Sequence, residues 1–189
     1  MMSQEFDIRT EGMPEEMQLL LRTYPRDDWE AHPGFKEKTK KWLGAHQMFR
    51  RLGKLLRTET ESYLDKTFNP QEYAARFRNY GGIMVGNLHG HHGWEDMSYF
   101  PELSAADPRF DAGLEILEKD HATLDGVLET FTDSANRMLR LINKNEPSAH
   151  DEAGKLHGTI ETIEAFLQRH LSDEEELAVP IILHHRLRG

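Results

Sequence analysis

Cysteine is absent from this 189-residue chain. That absence excludes disulfides, thiolate nucleophiles, zinc ribbons and cysteine-ligated iron–sulfur clusters. Positive charge is in deficit, with 23 Lys+Arg against 33 Asp+Glu and a formal net charge of −10. Such a balance repels phosphate backbones, and the basic runs Lys36–Lys41 and Arg50–Arg57 lack an aromatic stacking platform, so nucleic acid is not an expected partner. In the first 30 residues the longest apolar run is Leu19–Leu21, surrounded by Glu5, Asp7, Glu11, Glu15, Glu16, Asp27, Asp28 and Glu30. Neither a signal peptide nor a membrane span fits there, and a cytoplasmic protein is the expectation. A glycine-rich phosphate loop, a strand-turn-helix elbow and low-complexity segments are missing as well.

What is present is helical periodicity. Residues 1–34 read as an irregular arm with a short helix near Pro14–Arg22, closed off by Pro25, Pro33 and Gly34. Residues 35–187 read as one domain of four long helices. In the first, from Phe35 to about Thr67, Trp42, Leu43, His46, Phe49, Gly53 and Leu56 recur at mostly three- and four-residue steps. Asn69-Pro70 is a start signal for the second, which is expected to reach about Leu103 with a bend at Gly81-Gly82. Asp107-Pro108 opens the third, striped by Leu114, Leu117, His121, Leu124 and Leu128. Ser148 caps the fourth, which carries Ile163, Phe166, His170, Glu174, Leu177 and Ile181. Short polar turns between long helices predict an all-α fold, an antiparallel up-down-up-down four-helix bundle.

Eleven histidines remain to be explained. His46, His121 and His170 each occupy a stripe position where an apolar residue is expected, and a core histidine needs partners for two ring nitrogens. The second and fourth helices also share a pattern. His91 is followed by Glu95 and Pro101, and His170 by Glu174 and Pro180: a glutamate four residues on, then a proline six beyond it. Residues four apart on a helix are neighbours on one face, so each pair aims an imidazole and a carboxylate at one point. With His46 and His121 on the first and third helices, the two halves read as one helix-turn-helix unit used twice.

Around one core this gives four histidines and two glutamates, enough for two metal ions with both carboxylates bridging. Nitrogen and oxygen ligands without thiolate suit iron or manganese, and zinc less specifically. The bridging carboxylates offset charge that an apolar core could not otherwise hold. One His-x-x-x-Glu alone is weak, as His157 and Glu161 show, with Leu167 where the proline is expected. His92 adjoins His91 but stands about 100° away on a helix, so His91 is favoured. Asp125 is open to three readings: a further ligand, an acceptor for His121, or a solvated residue. The last two are favoured over ligation. His89 falls on another face, His184-His185 follow the bundle's last turn, and His32, His150 and His157 fall in arm or exposed positions. Glu118 and His121 have the Glu-x-x-His spacing of ferritin-like di-iron proteins once only. A metal-free helical interaction module leaves the core histidines and glutamates without purpose.

The stretches Ala45-His46 with Phe49, His91 to Leu103, Glu118 to Leu124 and His170 to Pro180 resemble the hemerythrin-like family, the HHE cation-binding domain, over residues 36 to 183. The resemblance implies a four-helix bundle around two non-haem iron ions, oxo-, hydroxo- or carboxylate-bridged, with His46, His91, Glu95, His121, His170 and Glu174 at the ligand positions. Asp125 stands where the oxygen carriers have a second histidine of the third helix, and Glu175 where they have an aspartate. The chain is therefore similar to the four-histidine, two-glutamate branch, which includes proteins of iron–sulfur repair and of nitric-oxide or peroxide stress. Without cysteine it departs from the repair proteins. The implied function is binding or processing of O₂, NO or peroxide in stress or iron handling. Sensing or iron holding is the alternative to turnover. Trp42, Phe49, Trp94, Leu117 and Leu124 are the expected pocket walls.

Overall fold

The structure, a computed structural model, describes residues 6–187. Among them there is helix and no strand. The segment before residue 37 is not a free tail. A 3₁₀ turn at Glu15–Gln18 runs into a short helix α1 (Leu19–Thr23), and a second 3₁₀ turn follows at Arg26–Asp28. Met13, Met17, Leu20 and Trp29 from this segment are buried.

Four long helices follow, α2 (Glu37–Leu64), α3 (Pro70–Trp94), α5 (Asp111–Asn143) and α6 (Ala149–His185), with a short α4 (Phe100–Ala106) between the middle pair. Their local signals are mixed. Asn69 caps α3 as its sequence predicts, its Oδ1 accepting from the Gln71 and Glu72 amides at 3.0 and 3.1 Å. Asp107 does not cap. A 3₁₀ turn at Pro108–Phe110 intervenes, and the Asp107 carboxylate pairs instead with Arg109 at 2.7 Å and His185 at 2.8 Å. Ser148 makes no capping bond either. The turn before it is set by the end of α5, where Asn145 adopts φ 55° and the Glu146 amide donates to the Leu141 carbonyl at 3.0 Å. Asparagine tolerates that left-handed conformation, so the helix stops there.

The glycines Gly81-Gly82 do not interrupt α3, which runs on through both. The irregularity lies further on, in a π turn at Glu95–Tyr99 where the Phe100 amide reaches back five residues to the Glu95 carbonyl. Pro101 has no N–H to continue an ordinary ladder, and the wider turn precedes it. The matching Pro180 sits inside an unbroken α6, so the two halves are similar without being copies.

Packing closes a cycle: α2 touches α3 and α6, and α5 touches α3 and α6. The apolar interior falls into two clusters. One holds Phe49, Leu88, Leu124 and Leu171, and the other Trp42, Tyr99, Leu117 and Leu177. Along the chain, α2 passes from the second cluster to the first, and α3 leads back through the π turn and α4, whose Tyr99, Phe100 and Leu103 lie in the second; α5 and α6 repeat the traverse. Between the clusters lie His46 of α2, His91 and His92 of α3 with Glu95 just after it, His121 of α5, and His170 and Glu174 of α6. No helix among the described residues is long and apolar enough to cross a membrane.

Leu56 is fully buried in the first cluster, away from that dividing layer. Leu56→Ala is expected to lower stability by about 2–5 kcal/mol, read as a reduced urea midpoint of the metal-free protein. Its bound-metal count should stay that of the unaltered chain.

Candidate metal centre

The dividing layer is polar and dry. His46, Glu95, His170 and Glu174 have no exposed surface, His92 and His121 almost none, and His91 little. They fall into two groups whose ligand atoms lie within 4.8 Å of one another: His92, His121 and His170 in one, and His46, His91, Glu95 and Glu174 in the other. All six residues expected from the sequence are thus brought together. A seventh, His92, joins them.

In the second group the Nε2 atoms of His46 and His91 face each other at 2.9 Å, and His91 Nε2 lies 2.8 Å from Glu95 Oε1. The two carboxylates span the groups. Glu95 turns Oε1 to His91 and Oε2 to His121 at 3.6 Å, and Glu174 Oε2 stands 3.6 Å from His46 Nε2 and 3.8 Å from His170 Nε2. Trp42 donates its indole N–H to Glu95 Oε1 at 2.7 Å, which fixes that carboxylate from the second cluster.

His92 enters because the inward sector of a packed helix is at least 100° wide. Two adjacent residues can flank its centre line, and His91 and His92 do so. The His92 ring stacks on His121, with centroids 4.0 Å apart, and meets His170 edge-on at 5.7 Å. The i,i+3 and i,i+4 stripe that marks the other ligands has no place for such a pair, although the doublet itself is a visible signal.

Three of the five inward imidazoles are held from behind by a carboxylate. His121 Nδ1 donates to Asp96 at 2.7 Å, His170 Nδ1 to Asp120 at 3.3 Å, and His46 Nδ1 to Glu175 at 3.0 Å. Such acceptors fix the tautomer and leave Nε2 free toward a cation. Asp125 does not serve His121. It pairs with His89 at 3.0 Å, and both side chains are about half exposed. Glu118 is exposed too, so the ferritin-like Glu-x-x-His pair is not formed at the site. His184 is exposed, and His185 is occupied by Asp107. Trp42, Phe49, Leu117 and Leu124 are buried walls, but Trp94 is not. It lies 43% exposed, stacked on Tyr99.

Electrostatics put His92, His121 and His170 in the form that binds metal. Burial drives the His92 imidazole far below its ordinary range, helped by neighbouring His121 and His170. Burial also pulls His121 down to about 3 and lowers His170. All three are neutral, with lone pairs available. Glu174 is pushed well above the usual carboxylate range by burial and by the charge of Glu95. Glu95 is held well below it: burial disfavours its charge, but hydrogen bonds from His46 and His91 outweigh that. The two carboxyls therefore carry about one proton between them in the protein alone, because like charges in a dry site cannot both ionise.

Whether these residues fit a cation is tested by their unmet bonds. Both ring nitrogens of His92, Nε2 of His121 and His170, Oε2 of Glu95 and both oxygens of Glu174 are buried without a hydrogen-bond partner. Seven orphaned atoms in one layer would each cost roughly 1–3 kcal/mol. Nearly all belong to groups that ligate metals, and they converge. The residues fit a bound cation.

A family model described as Hemerythrin HHE cation binding domain matches residues 37–182. No curated protein and no solved structure gives a significant match to the chain.

A cation filling those unmet bonds must stabilise the fold. At a free metal concentration about 100 times Kd the gain is about 2.7 kcal/mol, or about 5–10 °C in thermal midpoint for a chain of this size. His92→Ala is expected to remove a large part of that increment, while His89→Ala keeps it, as scanning calorimetry with and without metal would read.

Proposed function

Given that the chain belongs to the hemerythrin HHE cation-binding domain family, we propose that it holds two non-haem iron ions and uses them to bind or process O₂, NO or peroxide. The single observation behind this reading is the pair of converging ligand groups joined by Glu95 and Glu174. One ion belongs with His92, His121 and His170, the other with His46 and His91, and the two carboxylates are shared. The ligand set holds nitrogen and oxygen donors and no thiolate, the set that iron accepts. The alternating passage of the long helices between the two apolar clusters supports an antiparallel up-down-up-down bundle, with residues 6–36 as an arm laid against it.

An iron pair supplies reversible redox chemistry toward small diatomic and peroxidic ligands. The chain supplies the rest. His46, His121 and His170 are oriented by Glu175, Asp96 and Asp120, so the reacting face needs no rearrangement. Buried Trp42, Phe49, Leu117 and Leu124 keep bulk water from the layer and give it apolar walls. Asp96 is the one carboxylate braced against a site imidazole that also reaches solvent, with 39% of its side chain exposed. Burial and neighbouring Glu118 raise it to about 6. It is placed to pass a proton between water and His121 Nδ1, 2.7 Å away.

Anaerobic loading with Fe(II) followed by metal analysis is expected to give close to two irons per chain. His170→Ala and Glu174→Ala should lose metal and His185→Ala should not; equal loss in all three would overturn the assignment. Steady O₂ release from added H₂O₂ would identify turnover. A reversible spectral change under O₂ or NO without turnover would identify a carrier or sensor. Less than one iron per chain would remove the di-iron reading.

A further inference from the structure

The family match begins at residue 37, so the arm lies outside it, yet the arm is fitted closely to the bundle. Two glycines of α5 make room for it. A Cβ on Gly126 would stand 2.9 Å from the Phe6 ring, and one on Gly113 would stand 3.0 Å from Met17 Sδ. Between and beyond these seats, two arginines of the arm reach the carboxylates behind the site.

Arg9 donates through Nη2 to Asp120 Oδ2 at 2.6 Å and to Asp173 Oδ2 at 2.8 Å, and its Nε lies 3.3 Å from Asp120 Oδ1. Asp120 is the acceptor for His170 Nδ1. Arg26 donates through Nη1 to Glu175 Oε2 at 2.7 Å, and the other oxygen of Glu175 accepts from His46 Nδ1 and from Arg50. Two parallel relays result, each running from an arm arginine through a buried carboxylate to a site imidazole. One ends in the three-histidine group, the other in the group with both glutamates.

We propose that the arm is part of the metal centre, and that Arg9 and Arg26 are positioning residues governing how tightly each iron is retained. This rests on the di-iron reading above. A planar guanidinium fork fixes a carboxylate in direction as well as in charge. A fixed carboxylate fixes the imidazole whose Nδ1–H it accepts, and loss of such a support weakens metal binding by about 10–100-fold. Without Arg9, Asp120 keeps only the longer arginine bond from Arg169 at 3.3 Å, and the His170 ring gains freedom to turn its Nε2 away from the layer. Releasing Glu175 does the same to His46, less completely, because Arg50 still holds Oε1 at 2.8 Å. Since the relays end in different groups, each arginine acts on one iron.

The test uses the full-length protein loaded anaerobically with Fe(II), mixed with a chromogenic Fe(II) chelator and followed by absorbance. Arg9→Ala is expected to speed release of one equivalent by about 10-fold or more, leaving the second at the rate of the unaltered protein. Arg26→Ala should speed one equivalent by a smaller factor, and the double variant should speed both. Arg9→Lys should recover part of the loss, since one ammonium cannot reproduce the fork on Asp120 and Asp173. Asp120→Asn should reproduce Arg9→Ala, with no further effect when the two are combined. Thermal midpoints of the metal-free variants separate this from simple gluing of the arm. A lowered midpoint with both equivalents accelerated alike would overturn the proposal, as would release within about twofold of the unaltered rate in both variants. If the unaltered chain holds less than one iron, the di-iron reading fails and takes this proposal with it; if it holds two, the release rates decide on the relays alone.

Discussion

Two carboxyl groups and five imidazoles buried in one dry layer are the constraint on which the rest of this structure depends. Desolvation makes such a layer costly, and the protein alone softens the cost by keeping His92, His121 and His170 neutral and by letting Glu95 and Glu174 share a proton. Even then seven polar atoms lack partners. The surrounding fold is arranged to tolerate this. Two apolar clusters, one on each side, supply the burial that holds the helices together. Carboxylates outside the layer hold the rings of His46, His121 and His170 by their Nδ1 atoms and leave their Nε2 atoms turned inward.

Much of this is legible in the sequence. Helical periodicity announces four long helices, and the stripe histidines with two His-x-x-x-Glu pairs announce the layer, because both signals rest on local spacing. What is not legible depends on distance along the chain or on departures from ideal geometry. His92 is 100° from His91 on a helical wheel, which argues for an outward position, but an inward sector shared by two neighbouring helices holds both. The π turn at Glu95–Tyr99 lies outside any fixed 3.6-residue period. Asp96, Asp120 and Glu175 sit in acidic stretches that look like solvated surface, and only the fold reveals that imidazoles stand behind them. Asp107 and Ser148 have the chemistry of helix caps. One is drawn into an ion pair with His185, and the other is made redundant by a left-handed turn at Asn145.

The two halves of the chain share a plan and differ in execution. In the first half Pro101 follows a π turn, which places Asp96 half in solvent while its carboxylate still reaches His121. In the second half the helix continues through Pro180, and Asp120 and Glu175 stay buried. The carboxylates of the layer's closed side are those that the arm arginines reach; Asp96, on the open side, has no arginine partner among the described residues.

The measurement that bears most directly on a buried two-ion layer is anomalous diffraction from crystals of the iron-loaded protein, which locates metal without reference to activity. Two anomalous peaks are expected in each chain, one among His92, His121 and His170 and the other among His46, His91, Glu95 and Glu174. A single peak, or peaks outside the layer such as at His184 and His185, would contradict it.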